Sequence, residues 1–148
     1  FNMFSSSPIY TRARMLPPSK SNVSFVNKAV FWDCCIIMAD KIEHSLIGNR
    51  TRIEKGSTVI RSYIMGAYYY QNTEDMAEND AKGIPNIGVG KFCYIENAIL
   101  DKNCHIGNNV RIIGSKHLPD GDFKTHSIKD GIIVVKKDAI IKDGTMIP

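Results

Sequence analysis

An aliphatic residue returns every six positions along most of the chain. Val30, Ile36 and Ile42 form a first run, and Ile47, Ile53 and Val59 a second. After a break come Val89 and Ile95, then Leu100, Ile106 and Ile112, and the beat closes with Val135, Ile141 and Ile147. Neither the helical period of about 3.6 nor strict strand alternation sustains this spacing. A solenoid does, because each face of a triangular coil takes about six residues and sends one aliphatic side chain to the axis. The position four on from the anchor is also expected to point inward, and it is small or β-branched: Thr51, Ser57, Cys93, Cys104, Ala139 and Thr145. Glycine follows the anchor in Ile47-Gly48, Val89-Gly90 and Ile106-Gly107, where a tight corner leaves no room for a side chain. The five-residue spacings from 42 to 47 and from 95 to 100 read as slips at corners.

This aliphatic-Gly-x-x-small-x pattern resembles the hexapeptide repeat of left-handed parallel β-helices. Left-handed parallel crossovers are otherwise rare, so the handedness rests on the resemblance. The expected fold is all-β, a left-handed parallel β-helix with two loop insertions. Residues 1–22 form a proline- and serine-rich entry, Ser5-Ser6-Ser7-Pro8 and then Leu16-Pro17-Pro18-Ser19, which reads as a linker. The β-helix is expected over residues 23–148. Its first interruption spans 67–86, where Thr73 is positioned to cap a short helix with Glu74 and Asp75 in its first turn. Asn79-Asp80 weakens that helix, so the reading is a loop with one helical turn. The second interruption, 115–130, carries the turn signal Pro119-Asp120-Gly121-Asp122. The run Gly131-Ile132-Ile133-Val134-Val135 suits a buried parallel strand.

At 148 residues the chain is long enough for one domain with a continuous core. The net charge of +4 comes from scattered residues, 19 basic and 15 acidic, which does not imply nucleic acid. Cys34, Cys35, Cys93 and Cys104 lack C-x-x-C spacing, which argues against zinc, and Cys93 and Cys104 hold the inward repeat position, where buried free thiols in a reducing compartment are expected. No apolar stretch approaches the ~18 residues of a membrane span. The start at Phe1-Asn2-Met3-Phe4 reads as the rear part of a longer protein.

Several segments go beyond a generic repeat. Ser7-Pro8-Ile9-Tyr10-Thr11 with Leu16-Pro17-Pro18-Ser19-Lys20 resembles the junction into the C-terminal domain of glucose-1-phosphate adenylyltransferase (ADP-glucose pyrophosphorylase). So do Glu43-His44-Ser45-Leu46-Ile47-Gly48, Tyr63-Ile64-Met65-Gly66-Ala67-Tyr68-Tyr69-Tyr70-Gln71, Ile99-Leu100-Asp101-Lys102-Asn103-Cys104-His105-Ile106-Gly107 and the closing Lys137-Asp138-Ala139 and Asp143-Gly144-Thr145. The resemblance covers essentially the whole chain and is nearest the plant, small-subunit-like branch. It implies an enzyme that makes ADP-glucose and pyrophosphate from ATP and glucose 1-phosphate, towards starch or glycogen. The chemistry, with Mg²⁺ and ATP, belongs to a preceding nucleotidyltransferase domain, so this fragment is expected to bind no cofactor or metal, to hold no catalytic residue and to be inactive alone. The β-helix is expected to serve assembly with other adenylyltransferase subunits into tetramers, including heterotetramers, and allosteric control by phosphorylated metabolites and phosphate. Location in the plastid stroma follows from the plant-like match, with the bacterial cytoplasm as the alternative.

The same resemblance assigns activator or anion binding to Lys102, Lys137 and Arg14, with Arg12 adding charge beside Arg14. An ammonium on a flexible stem suits phosphate or carboxylate; taken alone, each lysine reads as a solvated surface residue, and it is the motif context that favours a functional role. The chain departs from the family pattern at Gly66-Ala67-Tyr68-Tyr69, where the family has an aspartate after Gly-Ala, in the second interruption, and after Phe1-Asn2-Met3-Phe4. These departures leave room for a non-catalytic regulatory paralogue. A hexapeptide-repeat acyltransferase is the other alternative and needs a general-base histidine, for which His44, His105, His117 and His126 are the candidates.

Overall fold

Strands of two to four residues wind around a common axis and stack into three sheets. The computed structural model describes residues 16–148. The first sheet stacks Lys20–Ser21, Ile36–Ile37, Arg52–Ile53, Gly88–Val89, His105–Ile106 and Ile140–Ile141. The second stacks Phe25–Asn27, Lys41–Glu43, Thr58–Ile60, Tyr94–Glu96, Arg111–Ile113 and Met146–Ile147. The third contains Val30–Phe31, Leu46–Ile47, Tyr63–Ile64, Ala98–Leu100 and Ile132–Val135. All of these pairings are parallel, each strand lying on its counterpart in the neighbouring coil. The described residues thus form a three-sided parallel β-solenoid.

Register places one aliphatic column on each inner face. Ile37, Ile53, Val89, Ile106 and Ile141 line the first. Ile42, Val59, Ile95, Ile112 and Ile147 line the second, and Phe31, Ile47, Ile64, Leu100 and Val135 the third. Apart from Phe31 at the first coil, these side chains are buried. At roughly 1.5–3 kcal/mol for each fully buried aliphatic, the columns are the main favourable term in folding.

The early part of the six-residue reading is one position out. Val30 and Ile36 pair with Leu46 and Arg52 on the outer surface, and Val30 is 52% exposed. Their neighbours Phe31 and Ile37 point inward. Strand side chains alternate faces, so a one-residue slip exchanges inside for outside; the doublets Val30-Phe31 and Ile36-Ile37 offer an apolar residue in either register. Similarly, the run 132–135 is not buried on both faces: Ile133 and Val135 are fully buried, whereas Ile132 is exposed.

The five-residue spacings recur at one corner. Lys28, His44, Arg61 and Asn97 stack at one corner with φ between 43° and 50°, each completing the turn from the second sheet to the third. The amides of His44, Arg61 and Asn97 donate to carbonyls of the coil below, at Asn27, Glu43 and Ile60. The anchors across this corner, Ile42 to Ile47, Val59 to Ile64 and Ile95 to Leu100, are five apart. Across the other two corners, which also turn through left-handed residues, uninterrupted anchors are six apart except from Ile37 to Ile42. Left-handed backbone in non-glycine residues is costly, so its repetition marks a geometry imposed by stacking. Just beyond this corner, buried Ser45 and Ser62 form their own ladder: the Ser62 amide donates to Ser45 Oγ at 3.2 Å, and the Ala98 amide to Ser62 Oγ at 3.2 Å.

The glycines after the anchors serve coil-to-coil contact. A Cβ on Gly48 would lie 2.5 Å from the Met65 carbonyl oxygen, although Gly48 itself is not left-handed. The inward small residues close the neighbouring carbonyls: Thr51 Oγ1 donates to Gly48 O at 2.6 Å, Ser57 Oγ to Gly90 O at 2.7 Å and Cys93 Sγ to Gly107 O at 3.0 Å.

Both interruptions carry more structure than the sequence suggests. The first contains a helix, Thr73–Lys82, of ten residues. Its N-cap is Asn72, not Thr73: the Asn72 side chain accepts from the Asp75 amide while Asp75 accepts from the Asn72 amide. Gly83 ends it in the left-handed conformation at φ 67°, and Glu78 pairs with Lys82 along one face. These terminal contacts offset the weak propensity of Asn79-Asp80. The second interruption forms a hairpin, Gly121–Asp122 with His126–Lys129, added antiparallel to Ile132–Val135. At the entry, the first strand begins at Lys20, inside the stretch that reads as linker, and the Pro17 carbonyl already accepts from the Cys34 amide.

The corrected register predicts opposite outcomes for two apolar truncations. Ile37→Ala should cost about 2–5 kcal/mol of unfolding free energy, whereas Val30→Ala should stay within about 0.5 kcal/mol. Urea unfolding of both variants measures the contrast; similar losses would put Val30 back among the inward anchors.

Candidate functional site

The corner between the third and first sheets collects polar residues from successive coils. Backbone donors join its layers: Arg50 N to Asp33 O at 3.1 Å, Ala67 N to Asn49 O at 2.9 Å, Asn103 N to Gly66 O at 3.1 Å and Asp138 N to Lys102 O at 3.0 Å. Cys34, Arg50, Gly66, Asn103 and Asp138 all turn this corner with positive φ. Side chains lock it further. Asn49 Oδ1 accepts from the Asp33 amide at 3.1 Å, and the buried Asn103 Oδ1 accepts from the Tyr68 amide at 3.0 Å.

Three side chains on consecutive coils meet above this frame. Lys102 Nζ lies 5.5 Å from the centroid of the Tyr68 ring and Lys137 Nζ 4.8 Å from it. Both separations are in the range of cation–π attraction, about 0.5–1 kcal/mol at an exposed site. Tyr68 is 57% exposed, so the cluster is open to solvent. Among the described residues neither ammonium forms an ion pair. Lys136, next in sequence, differs: it pairs with Asp122 at 2.6 Å and donates to the Phe123 carbonyl at 2.5 Å. The corner is not uniformly positive, because Asp101 and Asp138 flank the lysines, Asp101 accepting from the Lys102 amide at 2.6 Å.

Those carboxylates act on the floor of the site. Burial pushes the Cys104 thiol up to about 12, and the negative charges of Asp101 and Asp138 reinforce the shift. Cys104 is therefore a neutral packing thiol, donating weakly to Asp101 O at 3.0 Å. On the same side, Tyr70 donates its hydroxyl to the Cys34 carbonyl. Burial and hydrogen bonding with the Cys34 side chain push the Tyr70 phenol up to about 12, so it remains a donor that fixes the outgoing loop.

The expected anion residues divide in two. Lys102 and Lys137 come together although they are distant in sequence, whereas Arg12 and Arg14 lie outside the described residues. In the sequence Tyr68 stands out only as a departure from a family pattern, and nothing in its spacing announces the contact. The histidines do not converge. His105 faces outward with Nδ1 2.6 Å from the Pro85 carbonyl oxygen, His44 occupies an exposed corner, His117 is exposed in a loop, and His126 stacks on Phe123 with ring centroids 4.7 Å apart. Among the described residues no group of three or more His, Cys, Asp or Glu is arranged to hold a metal ion. No helix among them is long and apolar enough to cross a membrane.

A family model described as the GLGC left-handed parallel beta-helix domain matches residues 14–146. The chain belongs to this family. It is the C-terminal β-helix domain found in glucose-1-phosphate adenylyltransferase, and the three-sheet prism is a left-handed one. The match takes in all three sheets, the helix and the hairpin, so both interruptions lie within the adenylyltransferase domain.

The hairpin beside Lys136 supplies a pH test. Burial, aided by the Lys136 charge, lowers the His126 pKa from its ordinary 6.5. The unfolded chain then takes up the proton first, so stability falls as pH drops from about 6.5 towards the lowered folded value and levels off below it. An NMR titration should give His126 a midpoint below 6.5, with the protection of the 121–129 amides, corrected for the intrinsic exchange rate, falling as pH drops through that window; a midpoint at or above 6.5 contradicts the burial argument.

Proposed function

We propose that this chain is the regulatory and assembly domain of a glucose-1-phosphate adenylyltransferase, the enzyme that converts ATP and glucose 1-phosphate to ADP-glucose and pyrophosphate. Lys102 and Lys137 form an anion site for phosphorylated metabolites and phosphate. The observation that carries the reading is their convergence on one exposed ring with no ion-pair partner among the described residues. Cations already paired to carboxylates must give up that interaction before binding a ligand. These two have no such exchange to make, and charge-assisted hydrogen bonds to phosphate oxygens are the strong kind. Arg14, with Arg12 beside it, is assigned to the same anion contact through the junction motif.

Mg²⁺ and ATP belong to the nucleotidyltransferase domain that precedes this one in the family, and no step of nucleotidyl transfer is placed on the present residues. Assembly into tetramers finds support on the outer face of the third sheet. There Val30, Leu46, Tyr63, Ile99 and Val134 stand in one register, an apolar row that a subunit surface would cover.

Calorimetric titration with 3-phosphoglycerate and with inorganic phosphate tests the anion site. Lys102→Glu and Lys137→Glu should each weaken binding by about tenfold or more, the scale of one lost charge-assisted hydrogen bond. Unchanged affinity in both variants refutes the assignment.

A further inference from the structure

We propose that Tyr68 is the positioning residue of this corner: its ring holds the Lys102 and Lys137 ammoniums together before an anion arrives, and the side chain at position 68 sets how strongly the site takes anions. This inference rests on the anion-site reading above and extends it to a residue that neither the repeat nor the lysine motifs single out.

The backbone at the root of the ring is fixed. The Tyr68 amide donates to Asn103 Oδ1 at 3.0 Å, and Asn103 is 7% exposed, so the acceptor is held inside the corner. Immediately before it, the Ala67 amide donates to Asn49 O at 2.9 Å and Ala67 is 2% exposed. Gly66 has φ 89°, and a Cβ there would strike the backbone of Asn49. The backbone below the ring is thus tied to the coil on either side. Two residues on, Tyr70 is anchored through its hydroxyl to Cys34 O. Tyr68 therefore projects a rigid aromatic face from a fixed base, with 57% of the residue exposed.

The lysines are the opposite kind of group. Each ammonium rides on a four-carbon stem with many rotamers, and a phosphate that binds both must first immobilise both. A ring that attracts the two cations does part of that ordering in the free protein, which is how preorganisation raises affinity. Like charges brought near one another repel, and the ring's negative face offsets part of that repulsion. The ring adds no net negative charge. A carboxylate at the same position would pair with the ammoniums and compete directly with the ligand.

Variants at position 68 of the full chain, titrated with inorganic phosphate, separate these effects. Tyr68→Phe keeps the face and should bind within about twofold of wild type. Tyr68→Ala keeps the charges but frees the stems and should bind about three- to fivefold more weakly, the scale of an exposed cation–π contact. Tyr68→Asp should bind about tenfold more weakly or worse. An independent readout needs no anion. In the wild-type and Phe forms the ε-methylene protons of Lys102 and Lys137 should show upfield ring-current shifts, and in Tyr68→Ala those shifts should vanish. If the shifts are absent from wild type, or if Tyr68→Ala binds phosphate as wild type does while Lys102→Glu and Lys137→Glu do not, the positioning role falls and the anion site stands. If the lysine variants bind phosphate normally, the anion site falls, and with it the claim that position 68 sets affinity; the ring-current shifts then decide only whether the ring orders the stems.

Discussion

Every coil must lie on the one beneath it, and this stacking constraint underlies the rest of the structure. In a parallel solenoid each backbone amide and carbonyl on a face finds its partner in a neighbouring coil, not in an adjacent turn of the same strand. Strands of only two or three residues have little stability alone. They persist here because the register repeats from coil to coil, and the repeat lets Ile37, Ile53, Val89, Ile106 and Ile141 form one unbroken column. Lateral pairing and axial packing are thus the same event, so a change that spoils one spoils the other.

The constraint acts most severely at the corners, where the chain must turn without disturbing the layer above. Left-handed residues recur there in columns. Some are asparagine, aspartate, histidine or glycine, which visit that conformation more readily, but Lys28, Arg50, Arg61 and Phe92 do not. Stacking therefore overrules local preference. The functional consequence is visible at the corner between the third and first sheets: because layers register there, side chains far apart in sequence meet on one outward ridge. Buried Asn103 and its neighbours hold the frame, and the exposed Tyr68 and Lys137 with the half-buried Lys102 are left to meet a ligand. Frame and reactive surface are separate sets of residues, which allows the surface to vary while the coil remains.

The faces of the prism are legible in the sequence wherever the anchor stands alone among polar neighbours, as at Ile53, Ile95 and Ile106. They are ambiguous at Val30 and Ile36, where two apolar residues adjoin and periodicity cannot say which one faces the axis. The helix is longer than local propensity predicts because Asn79-Asp80 argues against it, while its stability comes from the Asn72–Asp75 capping pair and Gly83 at its ends. The hairpin at 121–129 looks like a bare turn because Gly121-Asp122 is a strand only by virtue of the edge it joins. For the site, motif resemblance singles out Lys102 and Lys137, whereas Tyr68 stands only as an oddity.

From composition and order alone this chain determined a solenoid period, its inward aliphatic columns, its small corner residues and its family, since each is written as a local pattern that repeats along the chain. The meeting of Tyr68, Lys102 and Lys137 was decided only by tertiary structure. Leu100 stacks directly on Ile64, and Val135 on Leu100, yet the two insertions stretch each of those single-coil steps in sequence to about twice its ordinary length. Counting residues would place an extra coil between these layers; backbone hydrogen bonding from coil to coil removes it and puts the three side chains on one corner.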